Sequence, residues 1–451
     1  MRSRRNAVLA ATLAATLVVG PLAGPAAALE PLTIGTSALK NATLRLYGFV
    51  ETDSIYDTTQ SFNEEQGNNA VQTRTAAGGG ANNFAGEHAR NQMTMRNSRL
   101  GLEFGVPAAD NGLKAKGVFE MDFLGNNAAN AAPGTTSGAQ TERDFFNNPT
   151  MRVRHAFVDV TKDELSLKLG QTWSLLGWQP YYFPGESVVQ PGVGQLYRRF
   201  VQARVTDTHP FGDWTLESAA DMAKPAEMNS GSPEWHGGLR VASTKYLGAS
   251  IGGAGTSMVG LSAGVSAAVI PVRTASAENP TGGAVAFDFL VPIIPSDDGK
   301  SRAHTLIWAG EFMSGSGVGG LEYSGLSLGV PGVTKTAATG TAIDSGIAGV
   351  NNGGNVELIR YRAFRTHLQY SLAKWSVSAG YAQVEGRNLD RFAFSNTIMP
   401  KIQYGYVAAF YDPVNWLRFA FEANQARDTY NDAANRFATN TRYQGSAFFL
   451  F

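Results

Sequence analysis

The chain has 451 residues, with 37 basic and 37 acidic side chains and no cysteine. That balance argues against nucleic-acid binding, which needs a net basic surface, and the missing cysteines exclude disulfides, thiol chemistry, an acylated lipoprotein anchor and Cys-based metal sites. A slightly negative mean hydropathy excludes a bundle of membrane helices, each of which would need about 20 consecutive apolar residues.

The N-terminus reads as an export signal. Arg2, Arg4 and Arg5 precede an apolar run from Ala7 to Val19, and Ala26-Ala27-Ala28 offers a small-residue cleavage site. Two domains are therefore expected: a signal peptide, 1–28, and a barrel domain, 29–451. The mature chain would keep 34 basic and 37 acidic residues, a formal charge of −3.

From there a period of two recurs to the end. Leu113, Ala115, Gly117, Phe119, Met121 and Phe123 share a face opposite Lys114, Lys116, Glu120 and Asp122. Leu165, Leu167 and Leu169 oppose Ser166 and Lys168. The charge-free stretch 246–272 is no helix, because Val259, Leu261, Ala263, Val265, Ala267 and Val269 alternate with Gly260, Ser262, Gly264, Ser266 and Ala268. Leu417, Phe419 and Phe421 oppose Arg418 and Glu422. The final segment sets Tyr443, Gly445, Ala447, Phe449 and Phe451 against Arg442, Gln444 and Ser446. An aromatic residue closing such a strand suits the interfacial girdle of an outer-membrane barrel and marks Phe451 as the membrane-insertion terminus.

A soluble sandwich would also alternate. A barrel in lipid is favoured by aromatic-rich apolar faces, charge-rich polar faces and the export signal without cysteine. Connections also alternate between short and long. The short ones are Pro107–Gly112, Thr161–Glu164, Asp207–Asp213, Pro295–Arg302, Ala373-Lys374 and Asp412–Asn415. The long ones are 58–92, 125–149, 173–197, 222–233, 273–282, 314–355, 386–400 and 428–440. Eight long loops predict an all-β transmembrane antiparallel barrel of about sixteen strands. Eighteen stays open because the turn within 233–272 is unclear. Loop 173–197, with Trp173, Trp178, Tyr181, Tyr182, Phe183 and Glu186, is too apolar to lie in water and is expected to fold inward as a constriction; packing at a subunit boundary is the alternative.

A charge facing lipid at mid-membrane costs about 2–4 kcal/mol, so alternation sends charges to the lumen. The basic set is Arg45, Arg99, Lys114, Lys116, Arg152, Arg154, Lys168, Arg204, Arg240, Arg365, Arg418 and Arg442. The acidic set is Glu51, Asp53, Glu103, Glu120, Asp122 and Glu422. A basic wall beside a narrow loop favours anions, and arginine's planar fork suits carboxylates. Equally, Glu120–Arg154 and Asp122–Arg152 could be cross-strand pairs that only stabilise the wall. Arg99, Arg204 and Arg365 have fewer acids in register. The six histidines are scattered without metal-ligand spacing, and no serine sits in a G-x-S-x-G elbow, so neither a metal, a cofactor nor a catalytic residue is expected.

Four blocks carry a family resemblance: Leu44-Arg45-Leu46-Tyr47-Gly48-Phe49-Val50, Arg96-Asn97-Ser98-Arg99-Leu100-Gly101-Leu102, Met151-Arg152-Val153-Arg154-His155-Ala156-Phe157 and Leu169-Gly170-Gln171-Thr172-Trp173-Ser174. In these the chain resembles the DcaP-like subfamily of Gram-negative outer-membrane porins. The resemblance implies a sixteen-stranded trimeric barrel, a folded-in third loop and uptake of small anions such as dicarboxylates. It places Arg99, Arg152 and Arg154 on the basic side of the channel.

The expectation is a passive, anion-preferring diffusion channel in a Gram-negative outer membrane, exported through the periplasm. Its partners would be membrane lipid, two further copies of itself, small solutes and, through the last strand, the barrel-assembly machinery. A sugar-selective porin with an aromatic slide of Tyr47, Phe49, Trp178 and Tyr182 is the alternative. A barrel enzyme and a plugged structural barrel are further rivals.

Overall fold

The structure is a computed structural model. It describes residues 32–34, 41–64, 71, 84–125, 150–183, 185–187, 193–225, 230–252, 255–272, 279–319, 346–392, 398–433 and 436–451. The expected signal peptide, 1–28, lies outside the described residues.

Sixteen antiparallel strands form one closed barrel. They are β1 (Ala42–Asp57), β2 (Arg90–Thr94 continuing as Arg99–Val106), β3 (Lys114–Gly125), β4 (Thr150–Lys162), β5 (Leu165–Trp173), β6 (Arg199–Phe211), β7 (Trp214–Ala223) and β8 (Glu234–Gly252). The ring continues with β9 (Gly255–Pro271), β10 (Thr281–Ile294), β11 (Thr305–Ser316), β12 (Arg360–Ser371), β13 (Trp375–Gly386), β14 (Lys401–Val414), β15 (Leu417–Thr429) and β16 (Phe437–Leu450). Each strand pairs with the next, and β16 returns to β1 from Phe49↔Leu450 to Asp57↔Arg442. Closure leaves no open sheet edge, which is what a strand structure in hydrocarbon requires. Phe451 seals the seam by exchanging two backbone hydrogen bonds with Gly48, 2.9 and 3.0 Å. One extra short strand, Leu32–Ile34, lies along the start of β1.

The alternation read from the sequence becomes inside and outside. On β1 Val50 is half exposed on the outer surface while Glu51, Asp53 and Asp57 are buried. On β3 Phe119 faces out and Glu120 and Asp122 face in. Trp235, Trp308, Trp375, Trp416 and Phe449 all stay exposed on the outer face. Among the described residues no helix is long and apolar enough to cross a membrane.

Several boundaries differ from expectation. The turn placed at Asp207–Asp213 shrinks to Gly212-Asp213, because Gly212 takes a φ of +60° and lets the flanking strands pair almost to their tips. The turn before Leu417 is likewise two residues, Asn415-Trp416. Trp173 is not in a loop: it ends β5, paired with Arg199. The doubtful region resolves into β8 and β9 joined at 253–254, with the register slipping between Ala242 and Leu247. That slip is why Gly260 is needed, since a Cβ there would lie 1.8 Å from the Ser243 carbonyl oxygen. The count is therefore sixteen, not eighteen.

Candidate functional site

The described parts of the segment 174–198, namely 174–183, 185–187 and 193–198, reach across the lumen. The segment's neck is closed by the Ser174 N–H donating to the Arg198 carbonyl, 2.9 Å. Its first turn, with Trp178 N–H donating to Leu175 and Tyr181 N–H to Trp178, both 2.9 Å, buries Leu175 and Leu176 completely. Trp178 lies flat on bare backbone: a Cβ on Gly264 would come within 2.7 Å of its ring, and one on Gly238 within 2.8 Å. Its indole N–H donates to Val265, the Gly177 N–H donates to Ser266 Oγ at 2.9 Å, and the Tyr182 hydroxyl donates to Ser262. The Gly-Ser rhythm of 260–266 is thus a smooth, weakly polar bed for this loop.

Further along, the loop is held by charge. Glu186 pairs with Arg365, whose Nη1 also donates to the Val193 carbonyl at 3.2 Å. Glu422 accepts the Ser187 N–H at 2.7 Å, and Gln444 donates to the Ser187 carbonyl at 3.1 Å. Ser378 donates to the Gly185 carbonyl. Glu311 accepts the Leu196 N–H at 2.9 Å. Tyr181 donates to Glu217 and lies under the Arg240 guanidinium, 3.6 Å from ring centre to carbon. The loop therefore places most of its polar contacts on β7 to β16.

The sector from β1 to β6 is different. A bulge in β4 lets Arg154 and His155 both turn inward, so Glu120 lies opposite His155 rather than Arg154. Arg154 still reaches Glu120 at 2.6 Å and Asp122 at 3.0 Å, and Arg152 grips Asp122 through two hydrogen bonds of 3.0 and 2.8 Å. Tyr47 donates to the other oxygen of Glu120. The two acids are consumed. Around them Arg99 makes no ion pair or side-chain hydrogen bond among the described residues; its guanidinium lies over Phe49 at 5.1 Å. Arg199 lies over Trp173 at 4.7 Å and Tyr197 at 5.4 Å, again with no carboxylate partner among them. Burial pushes the Tyr197 phenol up, but Arg199, Arg154, Arg99 and Arg152 outweigh it and hold the pKa at about 8.

Positions expected to line the pore divide accordingly. Arg45 and Arg152 keep 25% and 27% of their side chains exposed to the lumen. Arg99 is half-buried. Arg204, Arg365 and Arg418 are not free wall cations. Arg204 pairs with Asp221, its register partner, Arg365 with Glu186, and Arg418 makes a two-point contact with Asp412 while donating to the Gly252 carbonyl. Fewer acids in register were expected for Arg204 and Arg365, yet each lies opposite one, Asp221 and Glu311, and Arg365 takes its ion-pair partner, Glu186, from the loop. Trp173, Trp178, Tyr181, Tyr182, Phe183 and Glu186 all pack inside the barrel, Trp173 against Phe183 and Tyr197 with centroids 5.0 and 4.7 Å away. The proposed aromatic slide does not line an open path, since Tyr47, Phe49, Trp178 and Tyr182 are all buried. Arg199, missed in the sequence, was signalled only by the Arg198-Arg199 tandem at the loop's return.

No family model and no curated protein matches the chain. Solved structures do. The outer-membrane channel DcaP of Acinetobacter baumannii superposes with a TM-score of 0.62 at 18% identity, covering 93% of this chain and 99% of that one. The anion-selective porin from Comamonas acidovorans gives 0.53 at 12% identity, covering 91% and 100%. The fold is that of an outer-membrane porin. The likeness to DcaP-like porins read from the N-terminal blocks is thus met at the level of fold.

Proposed function

We propose that this porin-fold chain is a passive diffusion channel for small hydrophilic solutes in a Gram-negative outer membrane, with a preference for anions, dicarboxylates among them. The observation that carries the reading is the pair of guanidiniums on Arg99 and Arg199, which stand beside Arg152 while Glu120 and Asp122 are already bonded. A solute carboxylate passing β1–β6 meets donors with no competing acid. Arg45 and Lys116, which share Glu103, and Lys168, which pairs with Asp159, extend the strip. A positive strip beside a narrowed passage raises local anion concentration and lowers the barrier to anion entry.

Assembly as a homotrimer, and insertion through the C-terminal strand by the barrel-assembly machinery, accompany this reading as proposals. No cofactor or energy source enters it. The test is single-channel recording across a planar bilayer under a salt gradient. An anion-sided reversal potential is expected, moving to the cation side in the Arg99→Glu, Arg199→Glu double variant. A cation-sided potential in the unaltered protein would reject the anion preference, and absence of any conductance would reject the channel.

A further inference from the structure

The outer surface carries a second set of cations that the channel does not use. At the long-loop end of β12 to β16, Arg360, Arg362, Lys401, Arg427 and Arg436 make no ion pair among the described residues. Lumen-facing neighbours of the strand cations, such as Tyr361, Ala363, Ile402, Ala426 and Asp428, are buried, so Arg360, Arg362, Lys401 and Arg427 lie on the opposite, outward face, while Arg436 is exposed just before β16. Arg387 and Arg391 stand nearby, paired with Glu385 and Glu357. On β4, β6, β7, β8 and β9 the outward positions near the same end include the apolar Met151, Val201, Met222, Trp235 and Val269.

The rows are in register. Arg362 pairs with Glu385, Glu385 with Lys401, and Lys401 with Thr429, two residues from Arg427. At about 4.8 Å per strand these cations span roughly 15 Å. One row nearer the membrane centre, Gln383 pairs with Gln403 and Gln403 with Arg427. Tyr381 accepts from Gln403 at 2.6 Å. Below them the outer face becomes apolar, as β15 shows along a single face: Arg427, Gln425, Ala423, Phe421, Phe419. Phe437 supports the top row, with the Arg427 guanidinium 4.1 Å from its ring centre.

We propose that this patch binds the headgroup of a phosphorylated glycolipid in the outer leaflet. The acyl chains would cover the apolar belt, the sugar would lie on the glutamine row, and the phosphates would meet Arg362, Lys401 and Arg427. Glu385, between Arg362 and Lys401 in register, is already paired with Arg387; the remaining cations outnumber it and call for a counter-anion, and arginine matches phosphate through two parallel bonds. The order from hydrocarbon to amide to guanidinium follows the layers of such a lipid. The inference rests on the long-loop end being the external one, as in the channel reading.

The test uses full-length protein in detergent and native mass spectrometry with purified lipid A carrying two, one or no phosphates. Each cation near a charged membrane surface is worth about a fivefold change in binding. The unaltered protein should therefore prefer the diphosphorylated form. Arg362→Gln, Lys401→Gln, Arg427→Gln together should weaken it about a hundredfold, and the single variants about fivefold each. Conductance measured on the same samples should stay unchanged, which separates a failure here from a failure of the channel reading and confirms that the variants fold. Undiminished binding by the triple variant, equal binding of the phosphate-free lipid, or displacement by millimolar inorganic phosphate would each overturn the proposal.

Discussion

Arg152 and Arg365 hold equivalent places in the alternation, each on the lumen face of a strand and each bonded to a carboxylate, yet 27% of one side chain meets the lumen and only 4% of the other. The difference is the loop. On the β7–β16 side, the described parts of the loop are laid against the wall and absorb Arg365, Glu422, Glu311 and Gln444 into their own anchoring. On the β1–β6 side the loop touches the wall chiefly through Phe183 and Tyr197 on Trp173, and the acids lie beneath the cations. One basic set thus serves two ends, structural where the loop is anchored and permeation where it is not.

Removing Arg365 should have the largest effect. Arg365→Met leaves Glu186 buried without its charge partner, a loss of about 3–5 kcal/mol. Urea unfolding in vesicles should show it, together with a larger, noisier conductance as the loop leaves the wall. A wild-type midpoint and conductance would mean that the pair is not an anchor. Next comes Gly264→Val, whose added atoms run into the Trp178 indole; overpacking of this kind costs roughly 1–3 kcal/mol. Indole fluorescence should shift toward the solvent-exposed range, and an unchanged spectrum would break the picture of a flat seat.

On the β1–β6 side the pattern should invert. Arg99→Gln should alter stability by no more than about 0.5 kcal/mol, as for a residue with no partner to orphan, while the reversal potential loses much of its anion bias. If stability falls and selectivity stays, the two sectors do not differ as described. The smallest effect concerns pH. The Tyr197 phenol is neutral below its pKa of about 8 and negative above it, so anion preference should weaken between pH 7 and 9. Tyr197→Phe should remove that drift; a variant that keeps it would point to another group.

Much of the fold was legible before any coordinates. Alternation such as Leu165, Leu167, Leu169 against Ser166 and Lys168 needs only a period of two and a two-sided environment. The inward loop was legible too, since Trp178, Tyr181, Tyr182 and Phe183 lie too close together for a hydrated connector. Pairing was harder. The bulge that turns both Arg154 and His155 inward breaks the period by one residue, and nothing in Met151–Phe157 announces it. The Gly-Ser face of β9 was read as a strand surface, but its purpose, accepting Trp178, depends on a segment about 85 positions away in the chain.

What the chain alone determined was the sidedness of strand residues wherever the period of two runs unbroken, because lipid penalises charge on one face and the covalent pleat places neighbours on opposite faces. Which lumen cations are left free was decided only in three dimensions. Ion pairing depends on atoms a few ångströms apart, and those distances are set by strand register, one bulge and the path of a loop that crosses to the far wall.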